Sequence, residues 1–232
     1  LKDMPAESHP ELELAVYCPR EDFRDVFISR HYKNLASMPL AATVGTSSLR
    51  RVAQLKMYRE DLVIEPLRGN IDSRISKALA EDSKFDGIIL AGAGIHRLNE
   101  HDLIRQYLPV NKFLPAPGQG IVVIQCRKGD LAVKELISKV ACRTTTIIAQ
   151  AERAFNRVVG GSCQIPIAAL AEFKNDDEII LHGQIASPDG KQHVKESIEG
   201  LCKMAVDLGE RLAENLLAAG GSKIIDNINN SN

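Results

Sequence analysis

An α/β protein with a smaller α+β unit at its C-terminal end is the fold class this sequence predicts, and three observations predict it. Strand-like and helix-like segments alternate from about Thr43 to Leu90, joined by turns of small residues. The stretch Leu114-Pro115-Ala116-Pro117-Gly118-Gln119-Gly120 brackets a break in the chain with prolines and glycines. Beyond it the pattern changes to a long helix, alternating strands and a last helix.

Taken in order, Leu12 to Tyr17 alternates polar with apolar and ends at Cys18-Pro19, as a strand leaving one unit does, and Asp22 to Asp25 reads as a hinge. From Thr43 the sequence predicts a strand, the Gly45-Thr46-Ser47-Ser48 turn, a helix (Leu49 to Arg59), a strand (Leu62 to Glu65), the Arg68-Gly69-Asn70 turn, a helix (Ile71 to Ala80) and a strand (Gly87 to Leu90). This spacing implies a parallel, layered unit. Ile121 to Gln125 reads as a strand, about Thr145 to Arg157 as a helix, and Ile165 to Phe173 and Ile179 to Ile185 as strands. Pro188-Asp189-Gly190 is hairpin-turn chemistry. Apolar residues at helical spacing (Met204, Leu208, Leu212, Leu216) predict a helix that Gly220-Gly221 stops, with the Asn-rich tail from Asn227 fraying.

Composition narrows the function. The 29 basic and 30 acidic residues nearly cancel, against a general nucleic-acid binder, and the absence of Trp leaves few stacking platforms. The apolar runs are far shorter than the roughly 20 residues a spanning helix needs. Cys18, Cys126, Cys142, Cys163 and Cys202 are scattered without metal spacing, which fits reduced thiols in a cytoplasmic compartment and no metal site.

Any anion site must then be local. The turn Thr46, Ser47, Ser48 before a helix offers backbone N–H groups, hydroxyls and the positive helix end. Arg50 and Arg51 there oppose the usual macrodipole preference, as residues that must reach a negative ligand would. A Ser-capped helix with solvated arginines is the competing reading. Arg68 and Arg74 repeat the theme at the next turn, and Ala91-Gly92-Ala93-Gly94-Ile95-His96-Arg97 forms a third turn. Ligands of open parallel sheets bind beyond the carboxyl ends of the strands, and guanidinium forks match carboxylates, with phosphate as competitor. Cys163, between Gly160-Gly161-Ser162 and Gln164-Ile165-Pro166, stands in a loop where a thiol can be exposed.

Together these stretches resemble one family. Lys2-Asp3-Met4-Pro5, Arg20-Glu21-Asp22 with Arg24-Asp25, Gly45 to Arg51, Leu67-Arg68-Gly69-Asn70 with Arg74, Gly118-Gln119-Gly120, and Ala151-Glu152-Arg153-Ala154-Phe155 leading to Cys163-Gln164-Ile165-Pro166 are similar, in order and spacing, to porphobilinogen deaminases. The resemblance implies a transferase of tetrapyrrole (haem) biosynthesis that condenses four porphobilinogen molecules into hydroxymethylbilane, releasing ammonia. It implies a covalent dipyrromethane cofactor, joined by a thioether to Cys163, and Asp3 as the catalytic carboxylate. Lys2, Arg20, Thr46, Ser47, Ser48, Arg50, Arg51, Arg68, Arg74, Arg97 and Arg153 would bind the acid side arms of cofactor and substrate. Loss of ammonia needs a proton donor and a nearby negative charge, and Asp3 can supply both. The chain departs from the family pattern in having Gly160-Gly161-Ser162 before Cys163 where Glu-Gly-Gly is usual, which removes one charge and one glycine's conformational freedom.

The resemblance also sets the architecture. It implies two domains like those of periplasmic binding proteins, the first truncated, plus a small α+β domain. Residues 1 to 20 and 117 to 138 would be the remnant of domain one, 24 to 112 domain two, and 141 to 232 domain three with the cofactor cysteine. The family carries roughly 80 further residues before Lys2, so this chain is expected to leave apolar faces of domain one uncovered and to be inactive by itself. The whole protein is expected to be a cytoplasmic monomer acting on a small molecule, with neither nucleic acid nor membrane as partner. A non-catalytic anion-binding protein of periplasmic-binding-protein architecture is the reading from another class.

Overall fold

In the computed structural model, which describes residues 1–7, 9–160 and 165–230, the elements follow one another as β1 (Leu12–Tyr17), β2 (Asp25–Ile28), β3 (Thr43–Gly45), α1 (Leu49–Tyr58), β4 (Val63–Glu65), α2 (Ile71–Leu79), β5 (Gly87–Ala91), α3 (Gly92–Arg97), β6 (Ile104–Tyr107), β7 (Val123–Arg127), α4 (Leu131–Ile137), α5 (Arg143–Val158), β8 (Ile167–Phe173), β9 (Glu178–Ala186), β10 (His193–Leu201), α6 (Ala205–Leu216) and α7 (Ser222–Asn229). They form three sheets, so the predicted mixed α/β character holds.

The central sheet has the order β4-β3-β5-β2-β6. β3 pairs parallel with β4 and β5, whereas β2 runs antiparallel to both of its neighbours. The expectation of a purely parallel unit is therefore corrected by one strand. That strand escaped the sequence pattern because both its faces are covered. Phe27 packs into a cluster with Val44, Leu55, Leu62 and Phe113, while Val26 and Ile28 enter another with Leu67, Ile88 and Ile95. A doubly covered strand reads as a continuous apolar run instead of an alternation. Its reversed direction has a consequence for the site: Asp25, its first residue, pairs with Ala91, the last of β5, at the edge where the parallel strands end.

The C-terminal unit is an antiparallel meander, β10-β9-β8, with α5 and α6 against one face. Ala169 and Ala171 alternate with Ala168 and Leu170 along β8. The first pair meets Phe155, Leu212 and Leu216, and the second packs on Leu114, Phe23 and Val110 of the central unit. β8 thus cements two units. Glycine stops α6 as expected: Gly220 adopts φ 117 just after its end. The tail does not fray at Asn227, however, because α7 continues through Asn229 with Ile224 and Ile228 buried.

The remaining sheet is the antiparallel pair β1–β7, with α4 beside it. On this unit Leu131 is 75% and Leu136 68% exposed. Two chain crossings join it to the central sheet, residues 18–24 outward and the proline-glycine stretch on return, and they are stitched by the Glu21 N–H to the Gly120 carbonyl at 3.0 Å.

Candidate active site

The carboxyl ends of β3 and β4 deliver two turns to one edge of the central sheet, whereas β5 runs directly into α3 there, so the third turn expected over Ala91 to Arg97 is a short helix instead. The two turns are bonded together: Thr46 N donates to the Glu65 carbonyl (3.0 Å), and Ser47 Oγ donates to the Leu67 carbonyl (3.0 Å). The helices behind these turns differ at their starts. Asn70 caps α2, its side chain accepting from Ser73 N at 2.9 Å. Ser48, at the N-cap of α1, makes no such bond. The positive end of α1 is therefore open to an outside acceptor.

Arg50 and Arg51, on the first turn of α1, are buried, not solvated. Both meet the carboxylate of Asp25, which is itself wholly enclosed. Arg50 Nη1 donates to Asp25 Oδ2 at 2.7 Å and also to Gln54 Oε1 and the Leu114 carbonyl. Arg51 donates through Nε (3.1 Å) and Nη2 (2.7 Å) to Asp25 Oδ1, and through Nη1 to the Ile89 carbonyl. Burial alone would push the Asp25 carboxyl up, but the two guanidinium groups override it and hold the carboxyl well below its ordinary range. Arg50 Nε is enclosed and has no hydrogen-bond partner.

Lys2 is near enough to these arginines for the charges of Arg50, Arg51 and Asp25, as well as that of Asp3, to act on its amine. Lys2 is exposed at the surface, and its ammonium donates to Gln119 Oε1 at 3.4 Å. Desolvation, followed by the like charge of Arg51, lowers the Lys2 amine to about 8. Asp3 is exposed. Arg97 and Arg153 belong to the same neighbourhood, because the charges of Lys2, Asp3, Arg97 and Arg153 all act on the Leu1 amine. Arg153 pins the segment after Asp3 by donating from Nη2 to the carbonyls of Pro5 (3.1 Å) and Ala6 (2.9 Å).

The other predicted site residues fall into two groups. Arg68 and Arg97 are exposed, and Arg74 is half-buried with its Nε on the Gly69 carbonyl at 2.7 Å. Arg20 is already consumed by the protein: Nε donates to the Gln119 carbonyl (2.9 Å), and Nη1 and Nη2 reach Glu152 at 2.6 and 3.4 Å. Cys163 lies outside the described residues. Asp25, Gln119 and Glu152 belong to the motifs named above, but the sequence assigns them no role. The clue available in the sequence was electrostatic, since arginines that become buried require an internal anion.

An acidic pyrrole cofactor fits this donor set. The open start of α1, the orphaned Arg50 Nε and the cations Lys2, Arg68 and Arg97 form a surplus of donors around this edge. Carboxylate side arms are the complement of such a surplus. No group of three or more His, Cys, Asp or Glu residues that could hold a metal occurs among the described residues, and no described helix is long and apolar enough to cross a membrane.

Among solved structures, a lipoprotein of Bacillus subtilis described as methionine-binding aligns at a TM-score of 0.40 and 14% identity, over 58% of this chain and 63% of its own. A YaeC-family lipoprotein of Enterococcus faecalis aligns at 0.35 and 15%, over 62% of this chain and 68% of its own. The chain thus spans less than two thirds of the length of the first. Family models carry the assignment: residues 1–135 match "Porphobilinogen deaminase, dipyromethane cofactor binding domain", and residues 146–218 match "Porphobilinogen deaminase, C-terminal domain". Two adjoining domains of one family, in order and covering most of the sequence, place this chain in the porphobilinogen deaminase family.

Proposed function

We propose that the protein to which this chain belongs condenses four porphobilinogen molecules head to tail into hydroxymethylbilane, releasing ammonia, as a cytoplasmic monomer. The single observation that carries this reading is the consecutive match to both family domains, the first of them the cofactor-binding one. The donor-rich edge of the central sheet supports it, because each pyrrole carries acid side arms.

In this reading Cys163 Sγ forms the thioether to the dipyrromethane, which when bound supplies the pyrrole end from which the chain grows. The chain's own residues do the rest. The N–H groups at the start of α1, Thr46, Ser47, Ser48 and Arg50 bind acid side arms, with Arg51 oriented beside them. Arg68, Arg74 and Arg97 hold further carboxylates at the rim, and Arg153 keeps the Lys2-Asp3 segment in place through Pro5 and Ala6. Asp3 protonates the departing amine and holds negative charge beside the electron-poor pyrrole left behind. Lys2, whose amine sits near 8, adds a nearby cation. Arg20 acts through Glu152, not on the ligand.

Intact mass tests the assignment. Produced in a tetrapyrrole-making host, the full-length protein is expected to weigh one dipyrromethane more than its sequence, and Cys163→Ser is expected to lack that addition. Wild-type protein that turns over porphobilinogen without any covalent pyrrole would refute it.

A further inference from the structure

Asp25 belongs to none of the groups that the proposed reaction needs, yet it sits at the centre of them. Neighbouring positions on a helix point about 100° apart, so Arg50 and Arg51 have no reason of their own to converge. They converge because Asp25 presents Oδ2 to one and Oδ1 to the other, at 2.7 Å each. The same Oδ1 accepts Gln119 Nε2 at 3.0 Å. Gln119 also donates from Nε2 to the Phe23 carbonyl at 2.7 Å. With its amide hydrogens engaged there, its Oε1 is left to face Lys2. One carboxylate therefore ties α1 to the outgoing crossing, which ends at Asp25, and to the return crossing, which carries Gln119.

We infer that Asp25 is a positioning residue: its enclosed carboxylate holds Arg50, Arg51 and, through Gln119, Lys2 in one constellation, so that acid groups meet cations already oriented. The inference rests on the proposed function only for the identity of those acid groups. Two guanidinium groups and one carboxylate leave a single net positive charge in the enclosed cluster. Without Asp25, two like charges would face each other in a poorly solvated space and turn apart. Preorganisation of this kind lowers the cost of ordering side chains when a ligand arrives.

The test compares Asp25→Asn and Asp25→Glu with Asp61→Asn in the full-length protein. Asp61 pairs with Arg59 at the far end of α1, so its loss breaks an ion pair on the same helix away from the site. Two quantities are read on folded protein: the fraction carrying the pyrrole adduct, by intact mass, and the affinity of cofactor-free protein for glutarate, by calorimetry. Asp25→Asn is expected to lower both at least tenfold, Asp25→Glu less, and Asp61→Asn not at all. Asp25→Asn that loads and binds like wild type overturns the inference. So does failure of both Asp25 variants to fold while Asp61→Asn folds, because Asp25 would then serve stability alone. Wild type without adduct whose glutarate affinity still falls tenfold in Asp25→Asn would sink the proposed reaction and leave the positioning role standing. Wild type that neither loads nor binds glutarate would sink both.

Discussion

Glu152 shows what single residues contribute here. Its carboxylate accepts from Arg20, from Gly118 N at 2.6 Å and from Ala171 N at 2.8 Å, so one side chain of α5 joins an outgoing crossing, a return crossing and β8. Removing it strands a guanidinium whose side chain is 7% exposed, together with two backbone donors. Breaking such an enclosed pair costs about 3–5 kcal/mol. Glu152→Ala is expected to lose that much in urea unfolding, and the double variant Arg20→Met, Glu152→Leu to recover only the part due to the stranded guanidinium, because the N–H groups of Gly118 and Ala171 stay without their acceptor. A loss near zero in the single variant would show that the pair carries no structural weight. The motif Ala-Glu-Arg-Ala-Phe was legible in the sequence, and so were the arginines. Which carboxylate each arginine meets was not, because the partners lie 132 positions apart for Arg20 and 25 apart for Arg50.

At the scale of elements, the hairpin between β9 and β10 does more than reverse the chain. Its turn was readable from Pro188-Asp189-Gly190, but its tip packs on α1, the helix that bears Arg50 and Arg51. Gly190 has φ +74, and a Cβ there would lie 2.7 Å from the Ala53 carbonyl and 3.0 Å from Met57 Cγ. Lys195 Nζ donates to the Asn111 carbonyl at 2.7 Å from the same hairpin. Gly190→Ala is expected to cost about 1–3 kcal/mol through backbone strain and the clash with α1. Thermal melting would measure the loss, and hydrogen exchange should quicken in α1 around Ala53. Unchanged exchange in α1 would mean that the hairpin does not brace it.

For the whole molecule, Asp25 and Lys2 set how stability varies with pH. Asp25 has a folded pKa below its unfolded value of 3.8, so its contribution is complete above that value and disappears as pH falls through the folded one. Lys2 acts with the opposite sense. Its folded value near 8 lies below the unfolded 10.5, so the unfolded chain binds more protons between those limits and stability rises with pH across them. Urea midpoints are expected to fall steeply below about pH 4 and to climb above pH 8, the climb vanishing in Lys2→Met. A flat alkaline limb in wild type would contradict the lowered Lys2 amine.

The sequence by itself determined most elements, the mixed α/β character and the family, because periodicity, turn residues and motif spacing are local properties. It also marked the turns where cations gather. It did not reveal β2, β6, β10, α4 or α7, and it gave a turn where α3 stands. For β2 the reason is plain: burial on both faces erases the alternation that identifies a strand. Only the tertiary structure decided that Arg50 and Arg51 turn inward onto Asp25, that Arg20 is spent on Glu152, and that Lys2 faces Gln119. Those outcomes follow from long-range apposition, in which burial removes water and forces each charge to find its partner in a distant part of the chain.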